Sequence, residues 1–187
     1  MSVIIYTDGA AKGNPGNGGY GVVLMSGKHR KELSLGFRLT TNNRMELLAV
    51  IVALEALTKA PENVTVYSDS KYVVDAVEKK WVFGWEIKNF SKKKNPDLWI
   101  RFLKAYRKHN VIFKWVKGHA NNIENERCDT LAVEAAEGGE LKTDEWYEEV
   151  FNKWYFHFSI AYVLYFHFNI DLRSKCGGSN FRKCKRL

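Results

Sequence analysis

Cysteine is scarce: Cys128, Cys176 and Cys184 are the only three in 187 residues, an odd number that meets no zinc-ribbon or redox spacing. Reduced thiols and a cytoplasmic location are expected. Three prolines and no low-complexity run exclude a collagen-like or Pro-rich chain. The first residues, Met1 to Asp8, lack a basic n-region and reach a carboxylate too soon for a signal peptide, so nothing is expected to direct export. The longest aromatic run, Trp154 to Phe168, contains two histidines and falls short of the roughly 20 residues that span a bilayer. No stable membrane association is expected. Acidic residues are outnumbered, 21 against 29 Lys and Arg.

What is present suits a folded domain. Hydrophobic residues make up 45% and charged ones 27%, enough for a buried core. The net charge of +8 and a pI near 9.3 suit a polyanionic partner, nucleic acid or an anionic membrane surface. That charge is concentrated, because residues 71 to 117 hold 13 Lys and Arg against 4 Asp and Glu.

Apolar patterning gives the order of elements. Val3 to Tyr6 reads as a short strand ending at Thr7-Asp8-Gly9, and the glycine-rich stretch Gly13 to Gly19 reads as a turn before a second strand, Tyr20 to Met25. A third strand, about Lys31 to Leu39, closes an antiparallel meander. From Asn43 to Thr58 no Gly or Pro interrupts, and Leu47, Val50, Ile51, Leu54 and Leu57 recur at helical spacing with Leu48, Ala49 and Val52 on another face. So apolar a helix should be central and covered on two sides. Then follow a strand at Val64 to Tyr67, a helix from about Lys71 to Lys79, and a helix opened by Pro96-Asp97 that runs to about His109. A strand at Val111 to Val116 and a last helix from about Glu124 to Glu137 complete the series. Three antiparallel strands followed by alternating helices and strands predict an α/β fold, a mixed five-stranded sheet with helices packed on it.

Four carboxylates stand where such a fold can gather them: Asp8, Glu46, Asp69 and Asp129. Each has an ordinary structural role open to it. Asp8-Gly9 is a turn pair, Asn43-x-x-Glu46 resembles a capping box, Asp69 can cap a helix, and Asp129 can be solvated helix surface. Neighbouring strands nevertheless bring their ends together, so Asp8 and Asp69 converge with Glu46 if the central helix crosses the sheet there. Clustered carboxylates repel, and a hard divalent cation such as Mg²⁺ is the usual compensation.

The segments Tyr6-Thr7-Asp8-Gly9, Gly13-Asn14-Pro15-Gly16, Thr40-Thr41-Asn42-Asn43-Arg44-Met45-Glu46, Tyr67-Ser68-Asp69-Ser70, Trp115-Val116-Lys117-Gly118-His119-Ala120 and Asn125-Glu126-Arg127-Cys128-Asp129 together resemble type 1 ribonuclease H. The match spans about residues 2 to 138, in complete order and spacing. It implies a ribonuclease H-like catalytic domain over residues 1–139, followed by an off-family extension over 140–187. It also implies an endonuclease that cuts the RNA strand of RNA·DNA hybrids by two-metal catalysis, leaving 5′-phosphate and 3′-hydroxyl ends. Asp8, Glu46, Asp69 and Asp129 are carried over as ligands of two Mg²⁺ ions, with Mn²⁺ a substitute. His119, in a loop between Gly118 and Ala120, can shuttle a proton or help release product. The alternative is a noncatalytic nucleic-acid-binding module on the same scaffold, against which the presence of all four carboxylates argues.

For the substrate, Asn14, Asn42 and Asn43 supply short polar groups for sugar hydroxyls in a minor groove, or serve only as turn and cap residues. The resemblance adds a phosphate pocket around Thr41 and Asn95 for the DNA strand, and an aromatic channel around Trp81 and Trp85. Where the family often carries an arginine two residues before that threonine, this chain has Leu39, with Arg38 adjacent. Residues 79 to 94 correspond to the basic protrusion of bacterial members, so Lys79, Lys80, Lys92, Lys93 and Lys94 are expected to neutralise phosphates while the tryptophans pack on sugars. A monomer acting on RNA·DNA hybrid is expected. Beyond residue 140, Lys142 to Asn152 reads as a short acidic helix or strap. Even positions from Trp154 to Ile170 are all apolar, a strand-like alternation, and Arg173 to Leu187 is basic.

Overall fold

Five strands form one sheet in the computed structural model, which describes residues 2–118, 120 and 122–153. The strands are β1 (Ser2–Gly13), β2 (Gly16–Ser26), β3 (His29–Thr40), β4 (Asn63–Ser68) and β5 (Asn110–Trp115), in the spatial order β3-β2-β1-β4-β5. β1, β2 and β3 pair antiparallel, whereas β1, β4 and β5 pair parallel. This is the mixed sheet expected from the order of elements. The helices are α1 (Asn42–Glu55), α2 (Lys71–Glu78), α3 (Trp81–Ile87), α4 (Pro96–Tyr106) and α5 (Ile123–Glu137).

The core lies against the sheet face that carries Ile5, Val22, Val66 and Phe113, with Leu47, Ile51, Trp99 and Phe102 from α1 and α4. α1 is buried on nearly every side, from Arg44 to Leu54, as its two apolar faces require. Trp99 packs edge-on against both Trp85 and Phe102. A smaller cluster of Val23, Cys128 and Leu131 sits under α5.

Two local expectations fail, for one reason. β1 does not end at a Thr7-Asp8-Gly9 turn but runs on to Gly13, with Asp8 opposite Gly21 and Gly9 opposite Tyr20. Gly13 to Gly19 is likewise not a long turn, since only Asn14 and Pro15 separate β1 from β2. These glycines serve close packing. A Cβ on Gly19 would stand 2.5 Å from the Ala132 carbonyl oxygen, and one on Gly21 2.0 Å from that of Cys128. Side chains there would hold α5 off the sheet. Residues 79 to 94, read only as an aromatic and basic stretch, contain the short helix α3.

The chain divides into two compact units, Met1–Tyr147 and Glu148–Leu187, and the sheet belongs to the first. Residues 140–147, expected to open an extension, continue that first unit. Lys142 bridges to Phe37, its N–H donating to the Gly36 carbonyl (2.8 Å) and its carbonyl accepting from Arg38 N–H (3.0 Å). Arg44 supplies the reason: it is only 1% exposed, and its charge is met by Asp97 from α4 and by Asp144 from this strap. Trp146 and Tyr147 lie over the guanidinium at 5.1 and 5.5 Å. In the second unit, residues 148–153 are helical. The alternating run and the basic end fall outside the described residues, as do Cys176 and Cys184.

Candidate active site

The parallel pairing of β1 with β4 ends at Thr7 opposite Ser68, so the next residue on each chain is a carboxylate, Asp8 and Asp69. Glu46 reaches them from above because Gly9 lets α1 come close. A Cβ on Gly9 would stand 2.3 Å from the Glu46 backbone nitrogen. Each of the three carboxylates offers an oxygen within 4.8 Å of the others. Neither capping role is taken up. The N-caps of α1 and α2 are Thr41 and Ser70, and neither makes a side-chain capping bond.

The charges are held together at a cost. Burial, then Asp69 and Asp129, push the Asp8 carboxyl up to about 7, opposed by the Gly9 N–H that donates to its Oδ1 at 2.7 Å. Burial, then Asp8 and Asp69, push Glu46 well above the usual carboxylate range, opposed by Asn42 Nδ2, which donates to its Oε1 at 3.2 Å. Asp8 and Glu46 are 7% and 8% exposed. Buried polar side-chain atoms without a partner number three among the described residues: Glu46 Oε2, Asn125 Oδ1 and Thr7 Oγ1. The first is on the cluster, the second on a residue that touches Asp69, and the third on the residue before Asp8. An all-oxygen set with an unsatisfied buried acceptor fits a hard divalent cation, which takes oxygen ligands and relieves the mutual repulsion.

Asp129, half-buried on α5, stands outside this set of three, yet its charge is felt at Asp8. His119 lies outside the described residues. Asn42 joins the site through Glu46, while Asn43 and Asn14 are exposed, Asn14 in the turn between β1 and β2.

A second group of predicted residues gathers around Arg44. Its Nη1 donates to Asn95 Oδ1 at 3.4 Å, and Asn95 Nδ2 donates to the Tyr72 hydroxyl at 3.1 Å. Asn95 is buried, with left-handed backbone at the N-cap of α4. Thr41 precedes α1 in extended conformation, and its carbonyl accepts from Arg44 and Met45 N–H. Trp81 is exposed beside Lys79, whose ammonium lies 4.9 Å from the indole and also pairs with Asp75 at 2.8 Å. Lys93 lies 4.9 Å from the Trp85 ring. Lys80, Lys92, Lys93 and Lys94 are exposed.

Three residues around Asp69 escaped the sequence reading as site residues. Trp115 Nε1 donates to the Asp69 backbone carbonyl at 3.0 Å, Asn125 Nδ2 to Asp69 Oδ2 at 3.5 Å, and a Cβ on Gly118 would meet that same Oδ2 at 2.5 Å. Asn125 did leave a signal: it stands four residues before Asp129, on the same helix face.

The RNase H family model matches residues 1–137. The chain is 58% identical over 150 residues to ribonuclease H of Syntrophus aciditrophicus (strain SB), covering 78% of this chain and 86% of that protein. Among solved structures it is similar to LC9-RNase H1, described as a type 1 RNase H with the type 2 active-site motif. The TM-score there is 0.67 and the identity 32%, over 74% of this chain and 73% of that one. LC11-RNase H1, solved in complex with RNA/DNA hybrid, matches with a TM-score of 0.54 and 30% identity over 73% of this chain and 97% of that one.

Proposed function

The chain belongs to the ribonuclease H family of metal-dependent endoribonucleases, which hydrolyse RNA in RNA·DNA hybrids, and from that premise we propose that Asp8, Glu46, Asp69 and Asp129 are its metal ligands. The observation that carries this reading is the convergence of Asp8, Glu46 and Asp69 within 4.8 Å from three separate elements. The ions are two Mg²⁺, replaceable by Mn²⁺. When bound, they lower the pKa of a water and offset charge on the scissile phosphate and the leaving 3′ oxygen.

The protein's own groups do the rest. Asp8 and Glu46 hold their carboxyl oxygens at a buried position, and Asn42 keeps one Glu46 oxygen turned toward its amide. His119 takes up or delivers a proton near the leaving group, a role open to an imidazole near neutral pH. The hybrid is the polyanion that the basic surface meets. Asn14, Asn42 and Asn43 read 2′-hydroxyls, Thr41 and Asn95 take a DNA-strand phosphate, and Trp81 and Trp85 pack on sugars. Lys79, Lys80, Lys92, Lys93 and Lys94 neutralise phosphates. The complex of LC11-RNase H1 with hybrid supports this partner. Among the described residues no helix is long and apolar enough to cross a membrane, and Cys128 is a buried free thiol; the chain acts as a cytoplasmic monomer in this reading.

End-labelled RNA·DNA hybrid incubated with the protein in Mg²⁺ should yield RNA fragments with 5′-phosphate and 3′-hydroxyl ends, and chelator should stop the reaction. Cleavage unaffected by chelator would overturn the metal assignment.

A further inference from the structure

Asp69 differs from its two partners in how it is held. Asp8 is fixed within a strand ladder and Glu46 on a buried helix, but Asp69 stands past the end of β4. A carboxylate there is pushed outward by two others within 4.8 Å. Something must hold it inward before a cation arrives. One oxygen, Oδ2, is enclosed on two sides: the Gly118 backbone leaves room for no side chain beside it, and Asn125 Nδ2 donates to it at 3.5 Å. Asn125 is 2% exposed, so its amide has been taken out of water, and its Oδ1 has no partner. An apolar residue would suit such a position better unless the amide served the carboxylate. The Asn125 backbone is itself fixed, because its N–H donates to Asn122 Oδ1 at the start of α5.

We infer that Asn125 is a positioning residue that, with Gly118, seats the Asp69 carboxylate in its ligating orientation before metal binds. The inference rests on the reading of Asp69 as a metal ligand. Asn125 acts through Asp69, the one carboxylate of the cluster to which it donates. Its removal therefore weakens metal binding and, at limiting metal, lowers kcat, while hybrid KM and the fold stay as they were.

The test is Mn²⁺ binding to the full chain, followed by calorimetry and by the electron paramagnetic resonance of free Mn²⁺, for the parent, Asn125→Ala and Gly118→Ala. About tenfold weaker Mn²⁺ binding is expected for Asn125→Ala, within the range seen when a residue behind a metal ligand is lost. Its hybrid KM should stay within about twofold, its melting point in chelator near the parent's, and part of its kcat should return at saturating metal. Gly118→Ala disturbs the same oxygen from the other side without touching the core, and the same weakening is expected, so it decides the matter if Asn125→Ala does not fold. Parent-like Mn²⁺ affinity in both variants overturns the inference alone. Absence of Mn²⁺ binding by the parent overturns the metal reading, and this inference with it.

Discussion

Replacing Asp144 with alanine should cost the protein a large part of its stability, although the residue lies far along the chain from the central helix it supports. Asp144 accepts from Arg44 Nε at 2.6 Å and Nη2 at 2.7 Å, and from the Thr40 hydroxyl at 2.8 Å. The Arg44 side chain is 2% exposed, so the charge left behind cannot turn to water. Breaking a buried pair on one side typically costs about 3–5 kcal/mol. Asp97 keeps two hydrogen bonds to the guanidinium, at 2.9 and 2.8 Å, which places the loss at the lower end, about 3 kcal/mol. For a chain of this size that corresponds to a fall in melting temperature of about 6–12 °C. Urea and thermal unfolding of Asp144→Ala and Asp144→Asn measure it, and cleavage assayed well below the melting point should persist, because no proposed ligand has moved. A chain ended after Lys153 keeps Asp144 and should cut hybrid, whereas one ended after Leu141 should show the Asp144→Ala defect or worse. A loss below about 1 kcal/mol in Asp144→Ala would refute the reasoning, since it would place this pair among exposed ones.

The other expectations concern charge. Asp8 and Glu46 bind protons more tightly folded than unfolded, so without metal their contribution is present below about pH 4, and that of Asp8 is lost as pH rises through about 7. In chelator, Asp8→Asn should then melt higher than the parent at pH 8 and show a flatter pH dependence; an equal slope would count against the buried cluster. Mg²⁺ should raise the parent's melting temperature more at pH 8 than at pH 5, because binding must displace those protons. Neutralising Lys92, Lys93 and Lys94 together should weaken hybrid binding and flatten its log–log salt dependence by about 0.9 for each phosphate contact removed, and an unchanged slope would make them solvated surface. His119→Ala should slow turnover by about 10- to 100-fold without abolishing it, as buffer partly replaces a proton carrier; a complete loss would show a larger role.

The order of elements and the mixed five-stranded sheet are legible in the sequence, because hydrophobic periodicity is a local signal, and so is the convergence of Asp8, Glu46 and Asp69. The sequence misled at glycine. Gly18 and Gly19 look like turn residues in one dimension, yet both sit within β2, and at Gly19 the α5 backbone approaches within reach of a missing Cβ. That information lives in the tertiary contact between α5 and the sheet and has no local trace. A helix or strap is legible at Lys142 to Asn152, but its role is not: Asp144 looks like one acid among several until buried Arg44, a hundred residues earlier, requires a second counter-charge. Glu46 also had a misleading local signature, a capping box with Asn43, whereas the contact is made by Asn42, one helical turn before it.

Cleavage and binding of the same hybrid by Asp69→Asn, measured side by side with the parent in Mg²⁺, test the central claim most directly. The substitution keeps the side chain's size and removes a ligand charge from the cluster. The account predicts that RNA cleavage is abolished while hybrid affinity stays within a few fold of the parent's, and normal turnover by the purified variant would contradict it.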